Sequence, residues 1–299
     1  MPTPYPAAPP VVSGNNITVD AFLRSPQRVE RAITDLTLNR FLADRIFAEG
    51  PRAIGGAVLY DQLTSGGDFY TARDVQAIEP GAEFPILNSG ETMPLVAAVT
   101  KWGGSAVFTY EAVRRDRRDL LARELVRLRN TIIRKIDTVA MAALNAAPVH
   151  TQVAAADWGT STTKLLNDIN AAVSTIDEQD MGYVATAVIV NPAEALAIRN
   201  NDTVVARLNN TSNGGGTPDL LAAADLNGLA GMRWYVSNRQ AAGTVHVIAE
   251  RQIGGISDEL PLYTRTVDEE TKERYRVMSA RIAVPYITDP KAVVKITGA

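Results

Sequence analysis

The sequence contains no cysteine. This excludes a disulfide framework and any thiolate metal site, and it fits a reducing compartment. Histidine is nearly absent as well: the two present, His150 and His246, have no histidine partner at metal-ligand spacing, and both read as structural. No lysine precedes Lys101, and the first arginine is Arg24. No basic region followed by an apolar stretch opens the chain, and no apolar run approaches the length of a membrane span. Net charge is only −3 over 299 residues, 21% of them charged, which excludes a strongly basic nucleic-acid coat and an acidic disordered tail. The glycine cluster Gly214, Gly215, Gly216 lacks the Lys-Ser/Thr of a phosphate-binding loop, and no Gly-x-Ser-x-Gly elbow occurs. Aromatic residues make up 6% and are scattered. Trp102, Trp158 and Trp234 read as core or interface anchors rather than stacking platforms. The expectation is a soluble intracellular protein with no catalytic residues, no cofactor, no bound metal and no membrane contact.

What is present is 46% apolar content, enough for two modest cores or one large one. Residues 1–51 read as an arm, extended and proline-rich at first. Ser25-Pro26 then supplies a helix start, and Gly50-Pro51 a stop. Phe22, Leu23, Ile33, Leu36 and Ile46 form an apolar set that so short a segment cannot bury alone, so the arm is expected to bury it on a neighbouring surface. Residues 52–94 read as a long β-hairpin or loop. Residues 57–60 are a strand candidate, and Glu79-Pro80-Gly81-Ala82 has type II turn chemistry. Past residue 52 the charge is lopsided: Asp61, Asp68, Asp74, Glu79, Glu83 and Glu91 face only Arg73.

Residues 101–105, Lys-Trp-Gly-Gly-Ser, read as a glycine-centred hairpin feeding a strand at 106–109. A long amphipathic helix is predicted from about 116 to 146. It would be roughly 45 Å long at 1.5 Å per residue, with Leu121, Leu125, Leu128, Ile132, Ile136, Val139 and Ala143 as its apolar stripe. Its other faces and approach carry Arg114, Arg115, Arg118, Arg123 and Arg127 among further cations. Three readings of that basic surface stand side by side: a solvated face, a dock for another subunit, and a contact with nucleic acid. A second helix is predicted at about 162–176. From residue 182 the pattern turns to α/β alternation: a buried strand at 185–190, a helix capped by Asn191-Pro192, a polar loop over 200–219, and strands at 233–237 and 244–248. Two more strands, 277–284 and 292–296, close the chain around an Asp289-Pro290 turn.

This order of parts is an arm, an extended hairpin, a long helix, an α/β unit and returning strands. Its local wording is Val99-Thr100-Lys101-Trp102-Gly103-Gly104 through Thr109-Tyr110-Glu111-Ala112, Ile133-Arg134-Lys135-Ile136-Asp137 and Val188-Ile189-Val190-Asn191-Pro192. Together they resemble the major capsid protein of tailed double-stranded DNA bacteriophages (Caudoviricetes), whose α+β fold is named for phage Hong Kong 97. The resemblance implies a division into an N-terminal arm (1–51), an extended loop (52–94), a peripheral domain (95–181 and 256–299, with a spine helix at about 116–146) and an axial domain (182–255). It implies a structural, non-enzymatic subunit self-assembling as hexamers and pentamers of an icosahedral shell around packaged double-stranded DNA. That DNA would be met on the inner face without sequence specificity. It also implies a virion location, assembly in a host bacterial cytoplasm, and scaffolding, portal and decoration proteins as further partners.

Two departures from the family pattern shape the expectation. Some relatives staple subunits by an isopeptide bond from a loop lysine, and this loop has none. Some carry a long scaffolding segment that is cut off, for which the stretch before the arm is too short. Non-covalent stabilisation follows. Asp68, Asp74, Glu79 and Glu83 are expected to strap onto basic surface of a neighbour, with Arg114, Arg115, Arg118, Arg123 and Arg127 as first candidates. Phe22, Leu23 and Ile33 are expected to add apolar area between subunits. The rivals are an encapsulin-type nanocompartment shell and, from another class, an α/β enzyme or ligand-binding domain over about 184–250.

Overall fold

Trp102, Gly104, Ala106 and Phe108 alternate with Lys101, Gly103, Ser105 and Val107 at the two-residue period of a strand, and Thr100–Thr109 is one uninterrupted strand. The computed structural model describes residues 23, 29, 33, 41–64, 70–71, 73–87, 94–115, 118–159, 165–201, 204, 226 and 229–299; the side chains of Arg118 and Asp119 lie outside that set. In chain order the helices are α1 (Ala43–Ile46), α2 (Tyr110–Arg114), α3 (Arg118–Ala146), α4 (Leu165–Asp177) and α5 (Pro192–Asn200). The strands are β1 (Ala48–Glu49), β2 (Ala57–Tyr60), β3 (Leu95–Ala98), β4 (Thr100–Thr109), β5 (His150–Val153), β6 (Ala187–Val190), β7 (Arg233–Val236), β8 (Thr244–Ile248), β9 (Gly254–Glu269), β10 (Arg274–Ile287) and β11 (Val293–Thr297).

Three sheets result. A four-stranded sheet has the order β1-β9-β10-β4, a five-stranded sheet the order β5-β11-β8-β6-β7, and β2 pairs with β3 alone. The spine helix α3, about 44 Å long at 1.5 Å per residue, lies on the four-stranded sheet. Leu121, Leu125, Leu128, Ile132 and Ile136 meet Ala106, Phe108, Tyr275 and Val277 in the main core. Past Ile136 the stripe continues through Ala140, Met141 and Leu144, while Val139 and Ala143 are half-buried. The predicted three- and four-residue steps drift off the buried face there, because an α-helix repeats every 3.6 residues.

The five-stranded sheet is covered on both faces, so β6 is buried at every position, as expected for a strand between two layers. Ala187 and Ile189 face the spine-side core. Val188 and Val190 face a second core built with Leu165, Ile169 and Ile176 of α4 and Ala195 and Ile198 of α5. Asn191 caps α5, accepting the Ala193 N–H at 3.0 Å. Two strands of this sheet, β5 and β11, come from outside residues 182–255.

Two expectations need correction, and one strand has no sequence signal. The Lys101–Ser105 segment is not a hairpin. Gly103 and Gly104 lie inside β4, paired with Ala280 and Ser279, because β10 and α3 approach closely there. A Cβ on Gly103 would sit 2.5 Å from Ala280 Cβ, and one on Gly104 would sit 3.1 Å from Leu128 Cδ1. Among the described arm residues, Leu23, Val29, Ile33, Ala43, Ile46 and Phe47 are buried in the main core of their own protomer and are not held out for another copy; Phe22 and Leu36 lie outside the described residues. The spine helix and sheet supply the surface that the arm lacks. Finally, residues 254–269 form a long strand that no alternation announces. Its ladder with β10 slips between Ala280 and Ala283, opposite Pro261, which has no N–H to donate.

Candidate inter-subunit surfaces

The β2–β3 ribbon is the base of the long segment that joins the end of β2 at Tyr60 to the start of β3 at Leu95. Val58 and Tyr60 hold the base: Val58 joins a small cluster with Ala53 and Tyr286, and the Tyr60 ring lies 5.0 Å from that of Tyr286. The outgoing strand runs along the end of β10. There the Leu63 N–H donates to the Thr288 carbonyl at 2.8 Å, and Gln62 Nε2 donates to the Ile287 carbonyl at 3.1 Å. The Tyr70 hydroxyl donates to the Asp180 carbonyl. Beyond it nearly every described residue is exposed, including Val75 at 76%, Phe84 at 78% and Ile86 at 76%. Such exposure of large apolar side chains marks surface that something else covers. Its tip is the expected turn: Gly81 has φ +88 and the Ala82 N–H donates to the Glu79 carbonyl at 3.0 Å.

The predicted acids and arginines divide as follows. Asp74, Glu79 and Glu83 are exposed on that segment, and Asp74 caps its own loop by accepting the Val75 N–H at 2.8 Å. Among the described residues no ion pair joins them to any arginine. Asp68 and Phe22 lie outside the described residues. Arg114 and Arg115 are exposed at the end of α2. Arg118 opens α3. Arg123 and Arg127 are exposed, and both turn toward Glu124, at 3.9 and 2.6 Å, so part of the spine's charge is met within the helix. Lys135 sits 4.4 Å from the Trp102 ring centre. Leu23 and Ile33 belong to the protomer core, as described above.

Sequence reasoning missed the site that ties the arm to the body. Arg281, 7% exposed, donates from Nε and Nη2 to Asp258 at 2.8 and 3.0 Å and from Nη1 to Asp44 at 2.9 Å. Its guanidinium lies 5.3 Å from the Phe41 ring centre. From the spine helix, Asp137 accepts the Ala43 N–H at 3.1 Å. Burial pushes the Asp137 carboxyl up to about 6, against the lowering effect of the Ala43 and Leu42 N–H groups. One arginine in a strand and one aspartate in a helix carry no sequence signal of this role, since their partners lie 237 and 94 residues away.

His246 is fully buried in β8 with neither ring nitrogen hydrogen-bonded. Burial, with a smaller push from Lys295, lowers it to about 4. Among the described residues no group of three or more His, Asp or Glu side chains is placed to hold a metal ion, and no described helix is long and apolar enough to cross a membrane.

A family model described as phage capsid protein matches residues 91–296. No curated protein matches the chain. Among solved structures, the virus-like particle from Pyrococcus furiosus aligns with TM-score 0.60 and 10% identity over 90% of this chain and 98% of that one. A phage-related protein from Bordetella bronchiseptica RB50 aligns with TM-score 0.62 and 14% identity, over 90% and 97%. The capsid of the cyanophage P-SCSP1u aligns with TM-score 0.62 and 12% identity, over 87% and 88%. At these identities the likeness is one of fold, and that fold is the Hong Kong 97 type. With the family match covering the spine helix and the strands from β3 onward, more than half of the chain, the chain belongs to the phage capsid protein family and is a structural protein of a virion shell.

Proposed function

We propose that this chain is the repeating subunit of an icosahedral phage shell, closing as hexamers and pentamers around double-stranded DNA in the host bacterial cytoplasm. The observation that carries this reading is the excursion over residues 73–87. It is a long, acidic, partly apolar segment without a covering surface in its own protomer, on a body whose cores are otherwise filled. A monomeric enzyme gains nothing from such a strap, whereas a closed shell offers every strap a neighbour.

The residues proposed to act between subunits are Asp68, Asp74, Glu79 and Glu83 on the strap, and the cations Arg114, Arg115, Arg118, Arg123 and Arg127 on the spine side. With no lysine in the strap, attachment is non-covalent. Single exposed ion pairs are each worth about 0–1 kcal/mol, and repetition around a closed surface multiplies them. DNA is met on the inner face without sequence specificity; scaffolding, portal and decoration proteins are the further partners this role requires. The domain proposal keeps a peripheral unit around α3 and an axial unit around β6–β8, with β5, α4 and β11 assigned to the axial sheet because they build it.

Electron microscopy of the purified protein tests the reading. Closed particles or capsomers are expected, and removal of residues 73–87 is expected to leave a folded protein that no longer closes. A protein that stays monomeric at high concentration, or one whose truncated form still closes normally, refutes it. An encapsulin-type shell is distinguished by enzyme cargo in place of DNA.

A further inference from the structure

One corner of the five-stranded sheet holds two buried acceptor atoms that nothing in the protomer satisfies. β6 ends at Val190 and β7 at Val236, and past those ends lie the start of α5 and the turn that leads into β8. Glu194, in the first turn of α5, is 5% exposed, and Gln240, in the turn, is 2% exposed. Glu194 Oε1 accepts the Gly243 N–H. Gln240 Nε2 donates to the Thr244 carbonyl at 3.2 Å, so the two side chains end against adjacent residues of one turn. Asn191 closes the corner, donating from Nδ2 to the Gln240 carbonyl at 2.7 Å. From beyond β11, the Gly298 N–H donates to the Gly243 carbonyl at 2.9 Å. Glu194 Oε2 and Gln240 Oε1 are left without a hydrogen-bond partner.

The Thr244 contact fixes the Gln240 amide. Exchanging its oxygen and nitrogen would set an oxygen against the Thr244 carbonyl oxygen, so Oε1 is the atom left over. A carboxylate as deeply buried as that of Glu194 is costly unless it is paired or coordinated, and among the described residues no ion pair holds it. Neither orphan oxygen is open to solvent, so a neighbouring copy's side chain does not reach them. The missing partner must sit inside the corner and carry positive charge. A bare metal ion meets both needs. Hard cations take carboxylate, amide and backbone carbonyl oxygens, calcium at about 2.3–2.6 Å, closer than a hydrogen-bonded water. The donors are all oxygen, which sets aside ions that seek nitrogen or sulfur.

We infer that this corner binds one hard cation per protomer through Glu194 Oε2, Gln240 Oε1 and backbone carbonyls of the turn. Those carbonyls can each take a second partner, having two lone pairs. A single carboxylate matches sodium by charge, and the ligand set matches calcium by type. Magnesium is disfavoured, because it keeps several waters and the corner is closed to solvent. The ion ties the first turn of α5 to the β7–β8 turn, which Gly298 joins to the end of β11. The inference stands apart from the shell reading, since it needs only the folded chain.

The test uses the full chain, stripped with a chelator and exchanged into choline buffer. Calcium uptake is measured by equilibrium dialysis, and melting by circular dichroism in calcium, sodium or magnesium chloride at matched ionic strength. At a hundred times its Kd the bound ion should raise the wild-type melting temperature by about 5 °C, and magnesium should do less. A rise in calcium with one ion taken up per subunit assigns calcium; a rise in sodium alone assigns sodium. Glu194→Gln keeps an oxygen for the Gly243 N–H and should abolish the rise. It should also melt above the stripped wild type, because its amide brings a donor into the corner. Gln240→Met, which removes the other oxygen, should weaken the ion at least about tenfold, as one ligand is lost. No rise in calcium or in sodium overturns the site, and a proton shared by Glu194 and Gln240 then takes the ion's place. A rise that both variants retain overturns it too, because the ion is then bound elsewhere.

Discussion

Two buried groups titrate in the same pH window with opposite consequences, and this gives a prediction whose sign the structure fixes. His246 has no hydrogen-bond partner and is lowered from 6.5 to about 4. A depressed histidine means that the unfolded chain binds the proton more readily. Stability is therefore full above pH 6.5 and falls on acidification toward pH 4, by about 3 kcal/mol at 1.36 kcal/mol per pH unit. Asp137 is raised from 3.8 to about 6. Here the folded protein binds the proton more readily, so stability is full below pH 3.8 and is lost as pH rises through 6, again by about 3 kcal/mol. The two nearly cancel in the wild type.

Removing either group uncovers the other. The perturbations are His246→Leu, which fills the site without a titrating ring, and Asp137→Asn, which keeps an oxygen for the Ala43 N–H. The assay is urea unfolding of the dissociated subunit by circular dichroism at pH 7, 6, 5 and 4, read as variant minus wild type so that other carboxylates drop out. From pH 7 to pH 4 the His246→Leu difference should rise by about 3 kcal/mol, and the Asp137→Asn difference should fall by about as much. The double variant should track the wild type. Flat difference curves for both single variants would refute the reasoning, because they would mean that neither group's burial distinguishes the folded from the unfolded chain.

Arg281→Leu should cost about 2 kcal/mol in the same unfolding assay. That is less than the 3–5 kcal/mol of a fully buried broken pair, because Asp44 is 42% and Asp258 28% exposed. It should also speed proteolysis near residues 41–50, and Asp44→Asn with Asp258→Asn should recover most of the loss. Gly254→Ala should fail to give folded subunit by circular dichroism: φ is +154 and a Cβ would sit 2.2 Å from the Tyr286 carbonyl oxygen, a backbone atom that cannot turn aside. Gly298→Ala, at φ +76 with open space around it, should cost only about 1 kcal/mol.

Elements whose signal is local were legible in the sequence. The apolar stripe from Leu121 to Ile136 specifies the spine helix because periodicity of burial and of backbone coincide over many turns. Asn191-Pro192 marks the start of α5 because cap and first-turn chemistry act within three residues. What escaped was decided by partners far along the chain. Gly103 and Gly104 have the composition of a turn, and only the closeness of β10 and α3 makes them strand. β9 carries Asp258, Glu259, Pro261, Arg265 and Asp268, a pattern without an apolar face. It is held straight by β10 on one side and β1 on the other, with one edge of its polar alternation buried against Ser279 and Arg281. The same limit governs the site. The acids of the strap announce themselves by being unbalanced within one stretch of sequence, whereas Asp44 and Arg281 meet only through the fold, 237 residues apart.

The arm and the strap now separate into different physical roles. Leu23, Ile33 and Ile46 are part of the protomer's own core, and the Asp44–Arg281–Asp258 and Asp137–Ala43 contacts fasten the arm's end to sheet and spine. Deletion through this region would remove core volume and destabilise the subunit before any shell could form. The strap tip contributes no buried side chain to the protomer, so its loss should leave subunit stability within about 0.5 kcal/mol while removing the attachment between copies. On the proposed reading, assembly is association of preformed bodies and not folding upon contact. The ordering cost per subunit is small, individual contacts can stay weak and reversible, and errors can be released before closure makes the many contacts collectively permanent.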